Sequence, residues 1–209
     1  MAGPDAGQEG EPHLRERLAG REVLVQGHFL QARRDTVDLP DGGRATREYV
    51  VHPGAVMVVP LLDDGAGSYR LVLERQFRYP LGRVITEFPA GKLDPGEDWW
   101  TCARRELREE TGYVAREWAE VSVMHPIPAY STEFISLWFA RGLSLGERNL
   151  DQGEFIDVFT ASIDEFTGWC LDGRITDGKS LVAAFWLQNW LSGARELSWR
   201  SEGAPGAAG

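Results

Sequence analysis

Residues 91–113, GKLDPGEDWWTCARRELREETGY, constrain the fold of this chain more tightly than any other stretch. Asp94, Pro95 and Gly96 are turn formers. Asp98 suits a helix N-cap and Gly112 suits the left-handed position past a last turn, so the spacing predicts a helix over 99–110. At roughly 100° per residue, Trp100, Ala103 and Leu107 share one side of that helix. Glu106, Glu109 and Glu110 share the adjoining side, and Glu97 stands in the loop just before. One edge is made for burial while the other collects negative charge.

Carboxylates three or four residues apart repel by a few tenths of a kcal/mol in water and by more in a cleft. Two readings answer this. Arg104, Arg105 and Arg108 balance the glutamates on a solvated face, or the oxygens hold a hard cation. Mg²⁺ in particular is held by a few carboxylates together with waters and substrate phosphates.

The order Gly91, five residues, Glu97, seven residues, then Arg105-Glu106-Leu107-Arg108-Glu109-Glu110-Thr111-Gly112-Tyr113 resembles the complete box of the Nudix hydrolase family. No invariant position is missing. The resemblance implies that Glu106 and Glu110 are the main ligands of Mg²⁺, with Mn²⁺ an alternative. It implies that Glu109 is a further ligand or water-positioning group, that Arg105 and Glu97 brace loop against helix, and that Ala90 lends its backbone carbonyl to the metal.

Outside this stretch, VLVQGHFLQARRDTVDL, REYVV, GAVMVVPLL, YRLVLERQF, VITEFPA, AEVSVMH, FISLWFARG and EFIDVFT read as strands. SIDEFTGWCLDG and DGKSLVAAFWLQNWLSG read as helices. Many strands with few helices indicate α+β, and the resemblance refines this to an α/β/α sandwich around a mixed sheet, with an N-terminal antiparallel β appendage. The expected organisation is a disordered tail over 1–12, a β arm over 13–50, a catalytic domain over 51–195 and a flexible tail over 196–209.

Three further features resemble the ADP-ribose pyrophosphatase subgroup. In HPIPAYSTE, Pro128 lies fifteen residues beyond Tyr113. The segments REYVVHPGAVMVVP and LVLERQFRYPLGRVITEFPAGKLDPGE are similar to the subgroup throughout, with Arg78 matching an arginine that meets diphosphate or ribose phosphate. Glu154 follows a loop and starts a strand, similar to the family's mobile loop with its catalytic glutamate. Glu154 is the general base on this reading, with Glu109 the competing candidate, or else a solvated loop-tip residue. Glu133 is a second substrate or metal carboxylate, or the polar face of a strand. Arg47 and Glu48 contact substrate and Tyr49 stacks on adenine, or all three form an ordinary polar strand face. His52 and His125 read as structural, and the tryptophans at helical spacing read as core or interface.

The formal net charge of −10 argues against a nucleic-acid partner, and an anionic substrate then needs a metal or local arginines. Cys102 and Cys170 read as reduced thiols, and no Ser-His-Asp or Cys-His grouping suggests a protein nucleophile. MAGPDAGQEGEP has no apolar core and no run reaches membrane length, so a cytoplasmic protein without membrane partners is expected. The expected function is Mg²⁺-dependent hydrolysis of ADP-ribose to AMP and ribose 5-phosphate. The alternatives are the same chemistry on a nucleotide sugar, NADH or another dinucleotide, and a non-catalytic nucleotide sensor. The β arm resembles one exchanged between subunits, which implies a homodimer whose protomers complete each other's pocket with Arg47, Tyr49 and the Pro128 loop.

Overall fold

In a computed structural model that describes residues 11–201, the strand Ala55–Asp63 (β4) organises the larger of two units. Its run AVMVVPLLD is buried almost end to end, as expected of a strand covered on both faces. The side chains alternate. Met57, Val59 and Leu61 join one core cluster, and Val56 and Val58 join the other.

The tertiary order follows from this two-sided strand. Tyr69–Arg78 (β5), Arg83–Glu87 (β6) and Ala90–Lys92 (β7) come next, followed by the helix Trp99–Thr111 (α1) and the strands Tyr113–Met124 (β8) and Ile135–Leu145 (β9). The chain continues through Ile156–Ser162 (β10), the helices Ile163–Leu171 (α2) and Gly178–Leu191 (α3), and the short strand Arg200–Ser201 (β11). The sheet order is β10-β5-β4-β9-β8-β11, with β6 paired to β5 and β7 to β4. It is mixed, because β4 and β9 run parallel while the other pairs run antiparallel. Cys102, Ala103 and Leu107 of α1 pack on one face, and Phe166, Ala183 and Leu187 of α2 and α3 pack on the other. Each such leucine or phenylalanine contributes about 1.5–3 kcal/mol by leaving water. The α/β/α sandwich with a mixed sheet is therefore present.

The segment VITEFPA, expected as one strand, is two. Pro89 has no N–H to give to a ladder, and its carbonyl accepts from Val58 N at 2.9 Å. The chain leaves β5 after Glu87 and joins β4 at Ala90, beside the box helix.

The smaller unit comprises the residues up to His52 together with Ile127–Glu133. Arg17–Gln26 (β1), Gln31–Asp38 (β2) and Arg44–Val51 (β3) form an antiparallel sheet in the order β1-β2-β3. The expected long strand VLVQGHFLQARRDTVDL is folded back on itself, with Gly27 N donating to Leu30 O at 2.8 Å. Val50 exchanges backbone hydrogen bonds with Tyr130 and Thr132, which ties the 127–133 loop to β3.

The flexible tail expected from 196 is corrected over 196–201. Leu197 and Trp199 pack on the larger core, Arg200 pairs with Trp118 in the sheet, and its guanidinium lies 3.7 Å from the Trp100 ring centroid. Aromatic faces attract a guanidinium, which offsets the polarity of this segment. Of the other expected tail, residues 1–10 lie outside the described residues, and Pro12–Leu14 form a 3₁₀ turn; residues 202–209 also lie outside. Among the described residues no helix is long and apolar enough to cross a membrane.

Helix α1 carries the box glutamates and starts on Asp98, whose carboxylate accepts from Trp100 N and Thr101 N at 3.0 and 3.1 Å. Asp98→Ala should therefore lower stability by about 1 kcal/mol, read as a shift of the denaturant midpoint at unchanged slope.

Candidate active site

Arg105 is the hub of the box. Its Nε and Nη2 form a fork on Glu97, at 2.9 and 2.8 Å. Its Nη1 donates to Glu106 at 2.7 Å and to Glu109 at 3.0 Å, and Nη2 also reaches the Lys92 carbonyl at 3.0 Å. One side chain thereby fastens the loop, β7 and α1 together. Its hydrogen bonds hold Glu97 far below the usual carboxylate range, at about 2. Arg105 and Glu97 are thus in direct contact between loop and helix.

Gly91 lets the helix come this close. A Cβ there would stand 1.9 Å from the Glu106 carboxyl carbon, so any other residue displaces the carboxylate. Next to it, Ala90 N donates to Glu110 Oε2 at 2.8 Å. The amide of Ala90 is thus tied to the box, alongside the carbonyl that the resemblance assigns to the metal.

Four glutamates are buried here: Glu74, Glu87, Glu106 and Glu110, at 0, 0, 9 and 4 % exposure. Their neutralisation is uneven. Glu87 receives Arg78 Nε at 2.8 Å and the half-buried Lys179 ammonium, which also lies 3.1 Å from Asp177. Glu106 receives Arg105, yet burial outweighs that cation and pushes its carboxyl up to about 7. Among the described residues no cationic side chain pairs with Glu110, whose carboxyl is raised by burial and then by the charges of Glu74 and Glu106. Glu74 is raised by burial and then by Glu87, and neither of its oxygens has a hydrogen-bond partner. Glu154 adds to the repulsion felt by Glu74, Glu106 and Glu110, so the loop glutamate stands within electrostatic reach of the box.

The larger unit therefore holds Arg78, Ala90, Glu97, Arg105, Glu106, Glu109, Glu110 and Glu154. The smaller unit holds Arg47, Glu48, Tyr49, Pro128 and Glu133. There Arg47 pairs with Glu16 and Glu48 with Arg34. Tyr49 donates its hydroxyl to Asp35 at 2.9 Å, and the Glu133 carboxylate lies 3.7 Å from His52 Nε2. Arg47, Glu48, Tyr49 and Glu133 thus each have a partner within the smaller unit.

Sequence reasoning missed Glu74, Glu87 and Lys179. A signal existed for Glu74, which follows Leu71-Val72-Leu73 on a strand and is charged where burial continues. Lys179 had none, since its partner Glu87 is 92 residues away along the chain.

The donor set fits a hard divalent cation. Among the described residues the buried donors are oxygens, the carboxylates outnumber the cations beside them, and Glu74 has no hydrogen-bond partner. Glu106 and Glu110 would hold the ion. Among the described residues no three His, Cys, Asp or Glu side chains already converge to hold one, which leaves waters or phosphate oxygens to complete the shell.

Comparison with known proteins agrees with this geometry. Residues 51–183 match the NUDIX domain, and residues 16–50 match the nucleoside diphosphate sugar hydrolase N-terminal domain. The chain is 34% identical to an ADP-ribose pyrophosphatase of Bacillus subtilis over 84% of its own length and 94% of that protein. It is 37% identical to a methanol dehydrogenase activator of Bacillus methanolicus, over 83% and 92%. A solved structure of an ADP compounds hydrolase superposes with TM-score 0.76 at 23% identity, covering 87% of this chain and 97% of that one, which shows a shared fold.

The raised carboxyls make stability depend on pH. Glu74, Glu106 and Glu110 bind protons more tightly folded than unfolded, so their contribution is full below about 4.3 and is lost as pH rises through the raised folded values, about 7 for Glu106 and about 8 for Glu74. Glu97, held low, stays charged throughout. In EDTA the melting temperature should fall between pH 6 and pH 8 by on the order of 5 °C. Added Mg²⁺ should stabilise more at pH 8, where protons no longer compete for the oxygens. A thermal melt at both pH values, with and without the cation, measures this.

Proposed function

The chain belongs to the Nudix hydrolase family, and on that premise we propose that it cleaves the diphosphate of ADP-ribose to give AMP and ribose 5-phosphate. The observation that carries the reading is the excess of buried carboxylates over cations, which calls for a divalent ion and, with it, a polyanionic substrate. The ADP-sugar class is supported by the name of the Bacillus subtilis relative and by the match of residues 16–50. That match also favours the second reading, the same chemistry on a nucleotide sugar. A sensor that has lost catalysis is disfavoured, because every box carboxylate is retained.

Glu106, Glu110 and the Ala90 carbonyl would hold Mg²⁺, or Mn²⁺ in its place, and the ion would supply neutralisation of diphosphate oxygens and a more acidic water. The rest falls to side chains. Arg78 commits its Nε to Glu87 and keeps its two terminal nitrogens for a diphosphate oxygen. Glu154 takes the proton of the water that attacks phosphorus, and the bridging P–O bond breaks as the leaving phosphate takes the charge. Glu109, held by Arg105, orients that water. Arg47, Glu48, Tyr49, Pro128 and Glu133 read the adenosine and sugar ends, where substrate choice lies.

We further propose a homodimer formed through the N-terminal sheet. Leu18, Val23 and Val25 of β1 are more than half exposed, an apolar surface suited to a second copy. Deleting residues 1–45 should abolish both dimerisation, read by light scattering, and activity. A monomeric truncation with full turnover refutes this.

A panel of ADP-ribose, nucleotide sugars and NADH, assayed for released phosphate monoesters with and without EDTA, tests the substrate. ADP-ribose should give the highest kcat/KM, and EDTA should stop turnover. Substitutions separate ligand from base. Glu106→Gln and Glu110→Gln should lose rate that added Mg²⁺ partly restores. Glu154→Gln should lose about 10²–10⁴ in kcat with no restoration. If Glu109→Gln shows the unrestored loss while Glu154→Gln turns over normally, the base is on the box helix.

A further inference from the structure

Arg21 on Asp35, Arg105 on Glu97 and Arg141 on Glu117 each close a two-point fork, with Nε on one carboxylate oxygen and Nη2 on the other. That is the pairing a planar guanidinium favours. Arg78 does not adopt it. It meets Glu87 at a single point, Nε on Oε1 at 2.8 Å, and among the described residues its two terminal nitrogens have no hydrogen-bond partner.

The second oxygen of Glu87 is already occupied. Lys179, in the first turn of α3, forms an ion pair with Oε2 and lies 3.1 Å from Asp177, the residue that caps the same helix. A cation in a first turn faces the positive end of the helix dipole, so the helix gains nothing from this lysine. Its position is explained by Glu87, a carboxylate wholly closed to solvent, which it helps to neutralise. Nor can the lysine drift away. Ser180 donates from its amide and its hydroxyl to Asp177 at 3.0 and 2.6 Å and accepts from Phe88 N at 3.4 Å, which fastens the start of α3 to the end of β6.

Two cations thus divide one carboxylate between them. With Oε2 held by Lys179, Arg78 cannot close a fork, and its terminal nitrogens stay open on a side chain that is 37 % exposed. Without Lys179, Glu87 would offer both oxygens, and Arg78 would close on it as Arg105 does on Glu97, turning Nη2 away from the substrate.

We propose that Lys179 is a positioning residue for substrate binding, which keeps Arg78 from closing on Glu87 and so holds its terminal nitrogens ready for a diphosphate. This inference rests on the reading of Arg78 as a diphosphate ligand and extends it to a residue on another element, far along the chain.

The test is steady-state hydrolysis of ADP-ribose by the full chain at saturating Mg²⁺, with a thermal melt of each variant. Lys179→Met should raise KM on the order of 10-fold and leave kcat within about threefold, the pattern of a lost contact to bound substrate. Arg78→Gln should raise KM at least as much. Adding Lys179→Met to Arg78→Gln should change KM by less than about twofold, because no fork is left to prevent. A lysine that only stabilised the fold would act alike in both backgrounds. Lys179→Arg, which keeps a cation on Glu87, should hold KM within about threefold of wild type. Lys179→Gln serves as a second charge-free variant should Lys179→Met fold poorly, and carries the same expectation. An unchanged KM in the charge-free variants, or an equal rise in both backgrounds, overturns the proposal and leaves Arg78 as a diphosphate ligand. If Arg78→Gln keeps the wild-type KM, the reading of Arg78 falls and this proposal falls with it.

Discussion

The fork of Arg105 on Glu97, with its third nitrogen turned to Glu106 and Glu109, is the interaction on which the site depends. A bidentate arginine fixes both the position and the plane of its partner. Here it draws the loop against the helix tightly enough that the backbone at Gly91 must pass beneath the Glu106 carboxylate without a side chain. The break between β6 and β7 at Pro89 is part of the same device. It brings Ala90 under the helix, where its amide meets Glu110.

Around that brace, charge is distributed unevenly. Arg105 answers the outer glutamates, and Arg78 with Lys179 answers Glu87, while among the described residues Glu110 and Glu74 have no ion-pair partner. A protein that sought only stability would fill such positions with apolar side chains, since replacing buried charges by hydrophobic groups is often neutral or stabilising. Retaining carboxylates there lowers the stability of the cation-free state and raises the affinity for a cation. Stability and function are coupled through the same oxygens.

Much of this was legible along the chain because it is local. The Asp98 cap, the helix, the left-handed Gly112 and the contact of Arg105 with Glu97 all fall within residues 97–112, and short-range geometry allows little freedom. The strand over GAVMVVPLL was also legible, as a short apolar run rich in β-branched residues, while its burial on both faces came from the structure. The single strand expected for VITEFPA was misread because its two halves are both extended and differ only in the partner each finds. The tail expected from 196 was misread for a related reason. Its composition is polar, and what orders it is a cation over the aromatic rings of Trp100 and Trp138, drawn from distant parts of the chain.

The sequence alone determined the family and the set of box carboxylates, because both follow from residue type at fixed short spacing, and the resemblance to that family implied the sandwich. The tertiary structure decided which of those carboxylates are buried and which are answered by a cation. It added Glu74, Glu87 and Lys179 to the site, bringing Lys179 to Glu87 across 92 residues. It also assigned Tyr49 to Asp35 within the N-terminal sheet. The physical reason is that burial and charge compensation are sums over neighbours in space. A strand and a helix far apart in sequence contribute to them as strongly as adjacent residues do, and no local pattern records which of them will meet.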